Sequence, residues 1–115
     1  MGIANQIPYK SVSEARAVSI DYTDLLDSGE VLAGTPTVVE MGSSDLTLSN
    51  KARNSSGAVT ILGVSVAVNS AVQFHVAAGG VAGKRYTIKV TVSTNASTAQ
   101  TFVDLVRLDV RSDDS

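Results

Sequence analysis

The chain contains no cysteine and no tryptophan. Without a thiol, disulfide staples, zinc–thiolate centres and cysteine nucleophiles are all excluded. Histidine occurs once, at His75, so an imidazole-based metal or catalytic centre would have to be completed by carboxylates from distant segments. Aromatic residues make up only 4% of the chain, too few for the ring platforms on which sugars usually stack. No apolar run approaches the roughly 18 residues of a membrane span. The opening MGIANQIPYKSVSEAR lacks a basic stretch followed by a continuous apolar core, so no secretory signal is expected. Gln6 stands where N-myristoylation wants Ser or Thr. The formal charge is −2, with acids and bases interspersed. That leaves no cationic surplus to neutralise phosphates, so neither nucleic acid nor membrane is expected as a partner.

What the chain does have is valine, threonine and serine in alternating patterns. A length of 115 residues allows one domain with a single core, and β-branched residues suit a pleated, half-buried surface. The stretch Ala71 to Val92, AVQFHVAAGGVAGKRYTIKVTV, carries the clearest signal. Val72, Phe74 and Val76 share one side, and Tyr86, Ile88, Val90 and Val92 repeat the pattern after Gly79, Gly80 and Gly83. Period-2 alternation predicts two strands with one buried face each. The glycines predict a tight reversal that makes the pair a hairpin.

The rest is placed around that pair. Arg16 to Tyr22 predicts a strand burying Val18, Ile20 and Tyr22. Thr23 or Asp24 is expected to cap a single helical turn that Gly29 ends, with Leu25 and Leu26 closing the base of the core. Val31 to Met41 predicts a strand that Gly34 and Pro36 consign to an edge or a bulge. Asp45 to Ser49 predicts a short strand, Lys51 to Gly57 (KARNSSG) a loop, and Val59 to Val68 one strand facing Leu62, Val64, Val66 and Val68 inward. Asn69-Ser70 and Asn95-Ala96-Ser97 predict turns. The last strand, Thr101 to Val110, points Phe102, Val106, Leu108 and Val110 one way, with a bulge expected where Asp104 breaks the set. About seven short strands at about 8–12-residue spacing predict an all-β, immunoglobulin-like antiparallel β-sandwich. Tyr86, just inside the penultimate strand, is the candidate for the tyrosine that bonds backbone across a corner of such domains. The expected layout is an extended N-terminal arm over residues 1–16, the sandwich over 17–111 and a solvated tail over 112–115. Residues 1–16 read equally as a frayed terminus or as an arm that docks on a neighbour through Ile3, Ile7 and Tyr9.

No constellation of residues points to chemistry. Asp21, Asp24, Asp27 and Glu30 form an acidic run, but its spacing lacks the oxygen ligands, glycine and twelfth-position glutamate of a calcium loop. Carboxylates three apart read better as a solvated face favouring a helix N-terminus. The Gly-Lys at Gly83-Lys84 is followed by Arg85 and a strand rather than by Ser or Thr and a helix, so a phosphate loop is rejected. There is no G-x-S-x-G elbow for a serine nucleophile. Asn54-Ser55-Ser56 and Asn95-Ala96-Ser97 match glycosylation triplets, which matter only on a eukaryotic secretory route. No catalytic residue, cofactor or metal site is expected.

The order of a strand, Gly79-Gly80-Val81-Ala82-Gly83, Tyr86-Thr87-Ile88-Lys89-Val90-Thr91-Val92, a small polar turn and a final strand ending Asp109-Val110-Arg111 resembles a group of small tailed-phage and prophage proteins. These are the fibre–tail adaptor proteins, which are immunoglobulin-like sandwiches. Ile20 to Glu30 is similar to that group's opening. The chain departs from it at Thr35-Pro36-Thr37-Val38, where a bulky aromatic is common, and at Asn95 to Thr98, where Gly-Arg often stands. The resemblance implies a non-catalytic virion structural protein, made in the bacterial host cytoplasm, that joins tail or baseplate to fibre. Its implied partners are other phage structural proteins (tail, fibre or capsid) and copies of itself. A capsid decoration or cement protein is the alternative, and a binding module of a bacterial surface protein a third class. On this view the contact residues are Ile3, Ile7 and Tyr9 in the arm, Arg53 and Asn54 in the KARNSSG loop, and Gly79 and Gly80 in the glycine-rich turn.

Overall fold

Strands of this composition need two buried faces to meet, and they do so here across a sandwich. The computed structural model of the chain describes residues 3–4 and 9–113. Strands β1 (Ile3–Ala4), β3 (Arg16–Asp21), β8 (Ala71–Val76) and β5 (Leu48–Arg53) form one sheet in the order β1-β3-β8-β5. Strands β2 (Tyr9–Ser11), β10 (Thr101–Arg111), β9 (Arg85–Thr94) and β4 (Leu32–Met41) form the second in the order β2-β10-β9-β4. A separate hairpin, β6 (Val59–Ile61) with β7 (Val64–Val66), is inserted between β5 and β8. Setting that hairpin aside, the order is that of an immunoglobulin sandwich, with a first strand divided between the two sheets. That division, together with the insertion, raises the strand count above the seven expected.

The core lies between the sheets. Val18, Ile20 and Tyr22 from the β3 side, and Val72, Phe74 and Val76 from β8, face Val38 from β4, Ile88, Val90 and Val92 from β9, and Leu108 from β10. Each such burial contributes about 1.5–3 kcal/mol. Leu25 and Leu26 pack partly buried against this core, as expected.

The alternation over 71–92 predicts the buried faces correctly but not the pairing. β8 and β9 are not a hairpin: β8 pairs with β3 and β5, and β9 with β10 and β4. Residues 77–84 carry the chain from one sheet to the other, so the two apolar faces meet through their side chains rather than through backbone hydrogen bonds. Gly80 has φ +92, and a Cβ there would lie 3.0 Å from Val110 and 3.3 Å from Leu46. Glycine is therefore needed at this corner for space as well as for backbone conformation.

Tyr86 fastens the same corner. Its hydroxyl accepts from the Val81 N–H at 2.9 Å and donates to the Asp45 carboxylate at 2.9 Å, the arrangement expected of a corner tyrosine. Lys84 completes the cluster, 2.9 Å from Asp45. Hydrogen bonds from Lys84 and then Tyr86 hold the Asp45 carboxyl below the usual carboxylate range. A depressed carboxyl stabilises the fold above its ordinary value and loses that contribution as pH falls through the lowered one. Tyr86→Phe is expected to cost roughly 1–2 kcal/mol at neutral pH. It should also weaken the loss of stability below pH ~4 that Asp45 produces, measured by urea unfolding at pH 7 and pH 3.

Several local expectations shift. The helical turn is a 3-10 turn over Thr23–Leu25 with no capping bond from its own N-cap. Asp21 organises it instead, accepting from Thr23 N at 2.9 Å and Thr23 Oγ1 at 2.6 Å. β4 lies at a sheet edge with a register shift between Ala33 and Thr37, where Gly34 and Pro36 sit. The strand expected over 45–49 begins at Leu48 and runs on through Lys51–Arg53, absorbing the front of the expected KARNSSG loop. This polar sequence is tolerated because β5 is an edge strand, with a register shift between Ser49 and Ala52 and Asn50 at φ +52. Residues 59–68 are a hairpin rather than one strand. Leu62 and Gly63, at φ +52 and +78, make its two-residue turn, as right-handed strand twist favours. Leu62, Val64 and Val68 are consequently exposed, while Val66 joins Ile61 and Ala71 in a small second cluster. Finally, β10 pairs residue for residue with β9 from Thr101 to Asp109, with no bulge at Asp104. Asp104 stays on the inward face, buried, beside the Tyr22 end of the core.

Candidate partner-binding surfaces

The topology collects the loops at two ends. One end holds residues 22–31, the 54–70 insertion and the turn 95–100. Three bonds tie it together: Tyr22 N to Ser70 O, Leu32 N to Asn69 O, and Asn95 N to Val31 O. The other end holds residues 12–15, 42–47 and 77–84, joined by Gly79 N to Val12 O at 2.7 Å and Ala77 N to Thr47 O at 3.0 Å. The sandwich is long, with principal extents of 47 × 29 × 20 Å.

The candidate contact residues divide between these ends. Ile3 lies in β1, its backbone opposite Asp21; Ile7 falls outside the described residues. Tyr9 begins β2, paired in parallel with β10 at Asp109. Its ring is 44% exposed and carries the Arg111 guanidinium 4.0 Å above it, a geometry that holds an exposed ring in one orientation. Gly79 and Gly80 lie at the same end as Tyr9, connected to it through Lys10.

Lys10 escaped the sequence reading. It is fully buried, and its ammonium donates to Gly79 O at 2.8 Å, Ser11 O at 3.0 Å and Val12 O at 3.4 Å. Burial lowers its pKa, while the charges of Glu14 and Asp113 oppose that shift. Glu14 accepts from Ser11 N at 2.8 Å, and Asp113 from Ser13 N at 3.0 Å. The side-chain hydroxyl of Ser13 and then its backbone N–H keep Asp113 below the usual carboxylate range. A lysine in a three-residue strand gives no periodic signal, which is why it could not be singled out.

Arg53 and Asn54 sit at the opposite end and are both engaged. Arg53 donates to Gly34 O at 2.9 Å and to Asn69 Oδ1 at 2.5 Å, bridging the β4 bulge to the insertion. Asn54 is buried. Its Oδ1 accepts from Ser70 N and Ala71 N at 2.9 and 3.0 Å, and its Nδ2 donates to Ala67 O and Gly57 O at 2.8 and 3.2 Å. Asn54 therefore shapes the loop from inside, and the surface here consists of Arg53 and residues 55–57, which line a shallow groove of about 400 Å³.

A second buried polar cluster, formed by Tyr22 with Asp104, lies inside the core. The Tyr22 ring stacks on Phe102 at 5.7 Å. No partner of ordinary hydrogen-bond geometry reaches its hydroxyl, yet burial first, and then the Asp104 carboxylate, push the phenol far above its ordinary pKa. Both groups are buried. Among the described residues no three His, Cys, Asp or Glu side chains are placed to hold a metal ion. No helix of the described residues is long and apolar enough to cross a membrane.

The outward face of β4, β9 and β10 was also not foreseen. Val39, Met41, Val103 and Leu105 stand exposed on it, with Lys89 between Val39 and Leu105. No curated protein matches the chain. The family model for the podophage GP4 fiber-tail adaptor protein gp77 matches residues 10–107 of the 115.

Proposed function

The chain belongs to the podophage GP4 fiber-tail adaptor family, a virion structural protein that binds other tail and fibre proteins, and we propose that it makes this junction without catalysis, through its two loop ends. The observation carrying this proposal is the separation of the candidate contacts. Tyr9, Gly79 and Gly80 are gathered at one end of a 47 Å sandwich, and Arg53 with the loop shaped by Asn54 lies at the other. An adaptor needs two surfaces that can be occupied at once, and a rigid sandwich supplies them without conformational change.

At the Tyr9 end, the exposed ring under Arg111 is an anchor of the kind that dominates interfaces. Ile7 precedes it and adds to the same contact, whereas Ile3, whose backbone pairs with Asp21 in β1, belongs toward the opposite end. At the Arg53 end, the guanidinium is already oriented by Gly34 and Asn69 and presents its remaining donors outward. Several copies occupy each particle, synthesised in the host cytoplasm before assembly. No nucleic acid or membrane takes part.

The test is incorporation into particles. Tyr9→Asp should leave the unfolding free energy from urea titration within ~0.5 kcal/mol of wild type, because the ring is exposed. It should reduce the adaptor in purified virions at least tenfold, measured by quantitative mass spectrometry. Wild-type incorporation of a folded Tyr9→Asp protein would remove this end from the contact.

A further inference from the structure

Three of the described non-glycine residues have a left-handed backbone: Asn50 at φ +52, Leu62 at φ +52 and Asn69 at φ +58. Two are asparagine, whose short polar side chain tolerates that conformation. Leu62 is the exception. It opens the two-residue turn between β6 and β7, and Gly63 at φ +78 completes it. A hairpin turn with both central residues at positive φ favours Asn-Gly, and a bulky apolar residue in the first place is an outlier.

Packing does not offset this strain. Leu62 is 63% exposed, the most exposed of the large apolar side chains described, and Val64 across the turn is 58% exposed. The hairpin beneath them is well anchored. Ile61, Val66 and Ala71 form its own small core with Val59 packed against it, and Asn54 holds the segment after β7 through Ala67 O at 2.8 Å. The fold thus sets on a rigid support a leucine that is disfavoured both by its backbone and by its exposure. Strain retained at such a place points to function, and a preformed support loses little conformational freedom on binding.

With the Tyr9 end keeping the chain in the particle, the insertion end is left to the fibre. Residues 22–31 are tied to the foot of the insertion by Tyr22 N to Ser70 O at 2.9 Å. They expose Asp24 and Asp27, so a complementary surface is cationic around an apolar centre. We propose that Leu62, at the tip of the β6–β7 hairpin, is a plug that seats in an apolar, cation-rimmed socket of the fibre protein. Val64 flanks the plug and leaves water with it. This rests on the adaptor reading and adds to it the residue, the chemistry of the socket and the assignment of this end to the fibre.

The test is Leu62→Asn, which suits the turn and removes the plug. Its folding equilibrium constant, from urea unfolding, should rise about fivefold. Particles assembled with it should keep this chain within about twofold of wild type and lose at least about tenfold of their fibre protein by quantitative mass spectrometry. A gain in stability together with a loss of fibre excludes misfolding as the cause. Leu62→Met, apolar and adaptable, should keep the fibre within about twofold. A photoreactive residue at position 62 should cross-link to the fibre protein. An unchanged folding constant, wild-type fibre content with Leu62→Asn, equal fibre loss with Leu62→Met, loss of this chain from the particle, or a cross-link to a tail protein or a second copy would each overturn the proposal. Particles lacking the chain altogether separate this failure from that of the adaptor reading. Fibres that remain on them overturn both, whereas fibres lost from them but kept with Leu62→Asn overturn the plug alone.

Discussion

Replacing Lys10 by alanine is expected to destabilise the protein by about 3 kcal/mol, through the space left by a buried four-carbon stem and the loss of charged hydrogen bonds. Lys10 links three segments distant in sequence: β2, the 77–84 crossing and, through the charge of Asp113, the stretch that follows β10. For Gly79 O, the ammonium is the partner at 2.8 Å, and its loss leaves a carbonyl at a crowded corner without compensation. Lys10→Met separates the contributions. Methionine restores most of the volume, so a cost near 1 kcal/mol would assign the effect to packing, and one near 3 kcal/mol to the cation. Urea unfolding at pH 7 measures both. With Lys10→Ala, amide exchange should accelerate at Val12 and Gly79 before it does in β9.

The second large effect is expected at Asn54. Its side chain makes two bonds through Oδ1 and two through Nδ2 at distances up to 3.2 Å, all to backbone and all within the insertion or its junction with β8. Asn54→Ala orphans the buried Ala71 N–H and leaves the Ser70 N–H and the Ala67 carbonyl only their mutual bond at 3.2 Å, for roughly 3 kcal/mol in all. Asn54→Asp keeps both acceptor bonds but sets a carboxylate against the Ala67 and Gly57 carbonyls. It should cost at least as much at pH 7 and recover partly in acid, where the protonated group donates again. Thermal unfolding of the two variants at pH 7 and pH 4.5 checks the sign: Asn54→Asp should gain relative to Asn54→Ala on acidification, and a constant difference would contradict this account.

Both residues mark the limit of what the sequence shows. Alternation identifies a face, so Val18, Ile20, Phe74, Ile88, Val90 and Leu108 are legible as core, and spacing is enough for a sandwich of immunoglobulin type. Alternation does not identify the partner of a strand. The Gly79–Gly83 segment looks like a hairpin turn because glycines serve a reversal and a sheet-to-sheet crossing equally well. Positions 62–68 mislead for a related reason: a two-residue turn at Leu62-Gly63 preserves the period of two in the residues but folds the segment back on itself, so Val64 stands opposite Ile61 and Val66 opposite Val59, and of the expected inward set only Val66 is buried. Lys10 and Asn54 are polar residues whose burial depends on carbonyls and amides far along the chain, which no local pattern contains. Tyr86 was legible because its role follows from its place at a strand start after a glycine-rich corner. The apolar residues on the outward face of β10, Val103 and Leu105, were seen as the opposite set, but their alignment with Val39 and Met41 across Lys89 exists only in the register.

The division of the N-terminal chain between the two sheets has a mechanical meaning. β1 runs antiparallel to β3, and β2 runs parallel to β10, so the first strand acts as a strap over one side of the sandwich and ends beside the last. An adaptor is a link under tension whenever the fibre is pulled. With attachment at the two loop ends, that tension runs along the strands, and the cross-strand bonds of each ladder lie across it. They are then loaded in shear and must yield together rather than open one by one from an edge. The β2–β10 pairing and the Lys10 ammonium extend this resistance to the terminal segments, where strands would otherwise begin to peel. Forced unfolding is governed by the unfolding rate, and the strap adds backbone pairing and an ammonium bond where peeling would start.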